Sequence, residues 1–242
     1  MCGRFTLRSS GQELVKHFDL AEMPLFEPRY NIAPTQPAPV VRADAANGRR
    51  VLDWLRWGLV PSWAKDLAIG NQLINARGET LASKPAFRHA FRRRRCLVVA
   101  DGFYEWQRQG KRKQPFYITA ADGAPLAFAG LWERWTPPDA PTLGALSAVE
   151  SCTIVTTSAS DCMRALHDRM PVILPPDVWP AWLDPALDNP AALQELLGRC
   201  AGADLVSHPV DALVNNPSHD SPRCIEPLAD DGGSEQADRM LF

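Results

Sequence analysis

The second residue carries the most unusual chemical prospects. The chain begins Met1-Cys2-Gly3, and methionine aminopeptidases remove Met1 when residue 2 is as small as cysteine. The mature chain then starts at Cys2, with an amine and a thiol on adjacent carbons. A terminal amine ionises near about 7.7 to 8.0 and a thiol near about 8.5, so both react around neutrality. Such a 1,2-aminothiol condenses with an aldehyde to an imine, and the sulfur then closes a five-membered thiazolidine. No internal cysteine can do this. The same terminus equally suits an amidotransferase or hydrolase nucleophile, with the amine as its base. A cysteine at position 2 also arises by chance, and taken alone Cys2 favours that plain reading.

Two further residues are suited to proton transfer. Glu105 lies in the apolar stretch Gly102 to Trp106, where desolvation raises a carboxyl pKa and fits it for general acid/base work. Its competing role is a salt bridge to one of the many arginines. His167 is an imidazole, the side chain most used for proton transfer, with Asp168 beside it to orient the ring, although a lone histidine is more often structural.

The surrounding blocks change the weighting. MCGRF opens the chain, followed by RYNIAP at 29–34, WGLVPSW at 57–63, INARGET at 74–80, ADGFYEW at 100–106 and LHDRMPV at 166–172. Together, over roughly residues 2–215, they resemble the SOS response-associated peptidase family, whose members shield abasic sites in single-stranded DNA by covalent attachment. The resemblance implies an α+β single domain with a β-barrel-like core and a positively charged DNA groove. It implies Cys2, Asn75, Glu105 and His167 as catalytic residues. His167 would protonate the sugar ring oxygen to release the aldehyde, Glu105 would shuttle protons at the amine and carbinolamine, and the Asn75 amide would hold amine and sugar in one geometry. Asn75 otherwise reads as an Asx-turn residue.

For DNA contact, Arg77 would share a face with Asn75 if this segment is extended, and a guanidinium there can grip a phosphate bidentately. Arg169 is a second phosphate candidate and Arg4 a weaker third. Trp63, Trp106 and the Pro34 loop are placed to stack on or wedge beside flanking bases. Gly3 leaves room beside the nucleophile, and His208 is given a structural role. Ala64 stands where some relatives carry a second aromatic. No metal and no organic cofactor is implied. The expected partner is single-stranded DNA containing an abasic site, with no membrane and no obligate protein partner.

Charge distribution agrees with an anionic ligand. The net charge is −2, but residues 225–242 carry a local −4 and residues 77–95 a local +6. The run Arg92 to Arg95 is equally compatible with a solvated helix face and with a DNA contact. No stretch approaches the ~20 apolar residues of a membrane span, and the start lacks a signal-peptide h-region, so a cytoplasmic location is expected. Six cysteines without a CxxC or a zinc spacing then argue against both disulfides and a metal site.

The elements that must position these residues read as more strands than helices. Helical patterns cover 12–18, 83–93 and 178–200, the last broken by Pro185 and Pro190. Strand patterns cover 51–57, 96–100, 115–119, 126–132, 152–157 and 171–174. They do not alternate one for one, which favours an α+β fold on a mostly antiparallel sheet or barrel over a doubly wound one. One domain is expected over residues 1–222, with an acidic, disordered tail at 223–242. Two other functions fit the same residues: a cysteine protease or amidohydrolase using Cys2 and His167, and a noncovalent single-strand-binding module using only the Arg and Trp surface.

Overall fold

A computed structural model describes residues 2–110, 112–138, 148–200 and 204–228. In chain order the strands are β1 (Phe5–Leu7), β2 (Arg29–Ile32), β3 (Pro37–Ala43), β4 (Arg50–Trp57), β5 (Asn75–Arg77) and β6 (Arg95–Ala100). They continue with β7 (Gly102–Gln109), β8 (Arg112–Ala120), β9 (Leu126–Trp135), β10 (Val149–Ser158), β11 (Arg169–Pro171) and β12 (Leu205–Pro209). The helices are α1 (Gly11–Phe18), α2 (Arg88–Arg93), α3 (Asp161–Arg164), α4 (Trp179–Leu183) and α5 (Pro190–Gly198).

Five strands close on themselves in the order β4-β3-β6-β9-β10 and back to β4, forming a small barrel. Only the closing pair, β10 with β4, is parallel. Closure leaves the β6 run Arg95–Ala100 buried throughout, which explains why Cys96 to Ala100 are apolar without interruption. A second, antiparallel sheet runs β12-β8-β7-β1-β2. The chain passes from barrel to sheet at Asp101, whose buried carboxylate accepts the backbone N–H groups of Arg8 and Ser9 and so ends β1. The two layers meet through edge-to-face pairs, Phe5 on Trp57 at 5.1 Å and Phe103 on Phe128 at 5.7 Å. Each such fully buried side chain contributes roughly 1.5–3 kcal/mol. The architecture is α+β, with a mixed rather than wholly antiparallel barrel.

The long strand β10 organises the ligand end. Beyond its pairing with β4 it takes β5 alongside in parallel, matching Thr156 to Arg77, and on its other edge β11 antiparallel, matching Thr156 to Pro171 and Ser158 to Arg169. Asn75 and the segment after His167 are thereby brought to one rim of the barrel although they are distant in sequence.

Three expectations change. The helix expected over 83–93 begins only at Arg88. Pro85 cannot donate a backbone hydrogen bond, and the preceding residues fold as turns closed by Lys84 N–H to Thr80 O and Phe87 N–H to Lys84 O. The arginine run is largely a brace. Arg95 is buried and donates to the carbonyls of Phe91, Arg92, Trp182, Asp184 and Leu187, while Arg93 pairs with Asp188 and Arg94 with the buried Glu133. Lastly, the folded body continues past 222. Residues 222–225 form a 3₁₀ turn that buries Cys224 against Tyr104 and Tyr117, and Pro227 bridges to Val210. The rest of the expected tail, 229–242, lies outside the described residues.

Candidate active site

Gly3 and Arg4 join Cys2 to β1, which is paired to β7 through Phe5–Phe103 and Thr6–Gly102, with Tyr104 N–H donating to Arg4 O at 3.0 Å. Strand alternation then assigns faces on β7. Tyr104 and Trp106 turn to a minor cluster with Tyr117 and Val210. Phe103 and Glu105 turn to the barrel side, where the main core includes Cys2 and Phe103. Cys2 is fully buried and Glu105 is 2% exposed.

Burial sets the electrostatics of both groups. The Cys2 thiol is pushed far above its ordinary value, first by desolvation and second by the Glu105 carboxylate, so it is held protonated. Desolvation likewise raises Glu105, opposed by nearby His167. A carboxyl in this state exchanges a proton with its neighbours more readily than a solvated one.

Asn75, on β5, donates its amide N–H to the Cys2 carbonyl at 2.8 Å. Its Oδ1 is buried and takes no hydrogen bond from the described residues. Such a group costs about 1–3 kcal/mol and fits a role in gripping something that arrives later.

His167 is half-buried just beyond α3, its backbone N–H bonded to Met163 O at 3.0 Å. Its Nδ1 lies 2.6 Å from Asp168 Oδ1 and also 2.9 Å from the Arg169 backbone nitrogen. These two neighbours make opposite demands. The peptide N–H needs a bare Nδ1, with the ring proton on Nε2, whereas the carboxylate needs a protonated Nδ1.

The residues expected to contact DNA divide into two groups. Arg77 is exposed at the end of β5, Trp63 is 59% exposed, and Pro34 sits half-buried in a turn. That turn is held by Gln36 N–H to Ala33 O and Thr35 N–H to Trp57 O, with Thr35 in the left-handed region at φ 72°. Ala64 is buried against Trp135 and adds no aromatic ring beside Trp63. Trp106 is half-buried and its indole N–H is taken by Asn215 Oδ1 at 2.7 Å.

Arg4 and Arg169 do not match the expectation of free phosphate grips. Arg4 spends its guanidinium on Asn31 Oδ1 and on the carbonyls of Val214 and Asn215, tying β1 to the segment after β12. Arg169 forms a bidentate pair with Glu79 at 2.6 and 3.0 Å and donates to Thr156 O at 2.7 Å. His208 is structural in its contacts: its Nε2 meets Ile225 O at 2.9 Å and its ring stands edge-on to Tyr117.

Sequence reading passed over Asn31 and Glu79. Buried Asn31 accepts from Arg4 and donates its amide to backbone carbonyls including His219 O at 2.7 Å. Both residues fall inside quoted blocks, RYNIAP and INARGET, so the signal was position within a block rather than residue type. Among the described residues no three His, Cys, Asp or Glu side chains gather in a way that could hold a metal ion, and no helix is long and apolar enough to cross a membrane.

Known proteins resemble this chain over most of its length. The family model described as SOS response associated peptidase (SRAP) matches residues 1–217. Abasic site processing protein YoqW of Bacillus subtilis is 42% identical over 230 residues, covering 93% of this chain and 99% of the relative. Abasic site processing protein YedK of Escherichia coli is 30% identical, covering 94% of this chain and 100% of the relative. A solved structure of a protein from Bacteroides thetaiotaomicron superposes with a TM-score of 0.81 at 22% identity, over 94% of this chain and 100% of that one, and so shares the fold. On the length of these matches, the chain belongs to the SOS response associated peptidase family.

Proposed function

We propose that this protein acts on abasic sites in single-stranded DNA and captures them covalently through Cys2. The observation that carries the reading is the assembly at one buried rim of Cys2, the Asn75 amide bonded to its carbonyl, and the desolvated Glu105. Relatives named as abasic site processing proteins support it.

The proposed sequence starts with hydrolysis of the Met1–Cys2 peptide bond, which exposes the amine. His167 delivers a proton to the ring oxygen of the closed sugar, and the C1′ aldehyde is released. The Cys2 amine adds to that carbon and water leaves, giving the imine. Glu105 protonates the imine nitrogen and takes the thiol proton in exchange, and the sulfur attacks the imine carbon, closing the thiazolidine. Asn75 holds the backbone of Cys2 throughout and offers its free Oδ1 to a sugar hydroxyl. If sulfur attack is slow, the imine can undergo β-elimination and cut the strand, so lyase activity is latent in the same site. On the protein surface Arg77 takes phosphate, and Trp63 and the Pro34 turn take the flanking bases.

Intact mass spectrometry after incubation with an abasic oligonucleotide tests this directly. The expected product is the chain without Met1 plus the oligonucleotide less one water. Cys2→Ser should lose the heat-stable adduct yet keep noncovalent binding, with residual imine trappable by borohydride. An undiminished stable adduct in Cys2→Ser refutes thiazolidine formation.

A further inference from the structure

We infer that Glu79 is a positioning residue: through its bidentate grip on Arg169 it fixes the backbone that selects the ring tautomer of His167. The inference rests on the proposed role of His167 but makes a claim about the free protein that can fail or succeed separately.

Glu79 lies in the 3₁₀ turn Gly78–Thr80 directly after β5. Its two carboxylate oxygens take Nη1 and Nη2 of Arg169 at 2.6 and 3.0 Å, and the Arg169 Nη2 also reaches Thr156 O at 2.7 Å and Oγ1 at 3.2 Å. Thr156 faces Arg77 of β5 on one edge of β10 and Pro171 of β11 on the other. The guanidinium therefore crosses β10 from edge to edge, linking the segment that carries Asn75 and Arg77 to the one that carries His167.

An exposed ion pair contributes little, about 0–1 kcal/mol. This one differs on the arginine side, where the side chain is only 14% exposed against 50% for Glu79. Fork geometry also fixes the direction of the arginine rather than merely its distance. Anchoring Arg169 in this way anchors its own peptide N–H, which points at His167 Nδ1 from 2.9 Å.

That contact decides between the two demands on Nδ1. With the Arg169 N–H in place, the neutral ring keeps its proton on Nε2 and can act there as a donor. Asp168 competes from 2.6 Å but is 84% exposed, so water screens it. The other charges facing the ring are Glu105 from β7 and the mutually neutralised Glu79–Arg169 pair. Releasing Arg169 frees Nδ1 for Asp168. The proton then moves to Nδ1 and the neutral ring presents a bare Nε2, which cannot protonate a sugar oxygen.

The test uses full-length protein labelled with ¹⁵N-histidine. Long-range ¹H–¹⁵N spectra distinguish the tautomers, and a His167→Gln spectrum identifies this ring among the five histidines. Wild type should show the Nε2–H form as the main neutral species, Glu79→Gln a shift towards Nδ1–H, and the swapped pair Glu79→Arg/Arg169→Glu a return towards wild type. Alongside, Glu79→Gln should slow adduct formation about tenfold, within the range of a lost general acid, while its dissociation constant for an unmodified strand stays within about twofold. An unchanged tautomer in Glu79→Gln overturns the inference. So does an unchanged adduct rate with severalfold tighter binding, which would make Glu79 a stand-in for phosphate. A shifted tautomer in a protein that forms no adduct in any variant leaves the positioning intact and removes the proposed reaction instead.

Discussion

Replacing Asn75 with alanine should separate stability from reactivity. The structure gives this side chain one made bond, Nδ2 to Cys2 O at 2.8 Å, and one buried acceptor, Oδ1, with no donor among the described residues. Removing the made bond costs roughly 1 kcal/mol, and more if the Cys2 carbonyl is left unsatisfied. Removing the orphaned Oδ1 returns about 1–3 kcal/mol. The two nearly cancel, so Asn75→Ala should change the unfolding free energy by less than about 1 kcal/mol in a urea titration. Reactivity has no such compensation. With Cys2 no longer held, its amine and thiol lose the geometry that makes addition effectively unimolecular, and displacement of about 1 Å costs on the order of 100-fold in rate. A gel-based time course of adduct formation on an abasic oligonucleotide should therefore fall by about 10- to 100-fold. The reasoning is refuted if the variant loses more than about 3 kcal/mol of stability while its folded fraction reacts at the wild-type rate.

Glu105→Gln should stabilise the protein at neutral pH, because a carboxyl whose pKa is raised on folding penalises the folded state once it must ionise. The gain in melting temperature over wild type should be present at pH 7 and vanish as pH falls below the ordinary glutamate value of about 4.3; a gain that grows on acidification contradicts the raised pKa. Arg95→Met should lose more than about 3 kcal/mol, since five carbonyls, two of them in fully buried bonds, lose their donor, whereas exposed Arg92→Ala should stay within about 0.5 kcal/mol; chemical denaturation measures both. Arg77→Ala should weaken binding to intact and abasic strands equally and reduce the salt slope by about one, which fluorescence anisotropy across a salt series can check. An uncleaved tag on the amino terminus should abolish adduct formation on denaturing gels, while a tag at the other end should not.

Much of the fold was readable because its main strands are long and apolar. The β6, β9 and β10 runs carry their own burial pattern. The three-residue strands β1 and β5 were not readable, since their conformation comes from pairing with β7 and β10 rather than from any period of their own. The arginines show the same limit. RRRR does not reveal which guanidinium sits beneath five carbonyls, and Arg169 looks like a phosphate ligand until Glu79, ninety residues away, is seen to hold it. Cys224 read as part of a polar tail because its cover, Tyr104 and Tyr117, arrives from the second sheet.

Burial of the thiol also bears on the order of the proposed reaction. A thiol pushed well above its ordinary value is a poor first nucleophile, so the amine must open the attack. Imine formation then alters the thiol's surroundings, because it places an electrophilic carbon bearing a protonated nitrogen beside the sulfur. The positive charge favours thiolate just when the sulfur is required, and Glu105 stands close enough to influence the thiol and to accept its proton. Before that moment the same desolvation keeps the sulfur protonated and therefore slow towards oxidants and stray electrophiles. The expected signature is a slow reaction of Cys2 with iodoacetamide in the free protein, slower than that of exposed Cys162, despite Cys2 being the residue proposed to close the ring. Mass-spectrometric mapping of alkylation at neutral pH measures the two rates side by side, and faster labelling at Cys2 would contradict this account of how the site protects its nucleophile.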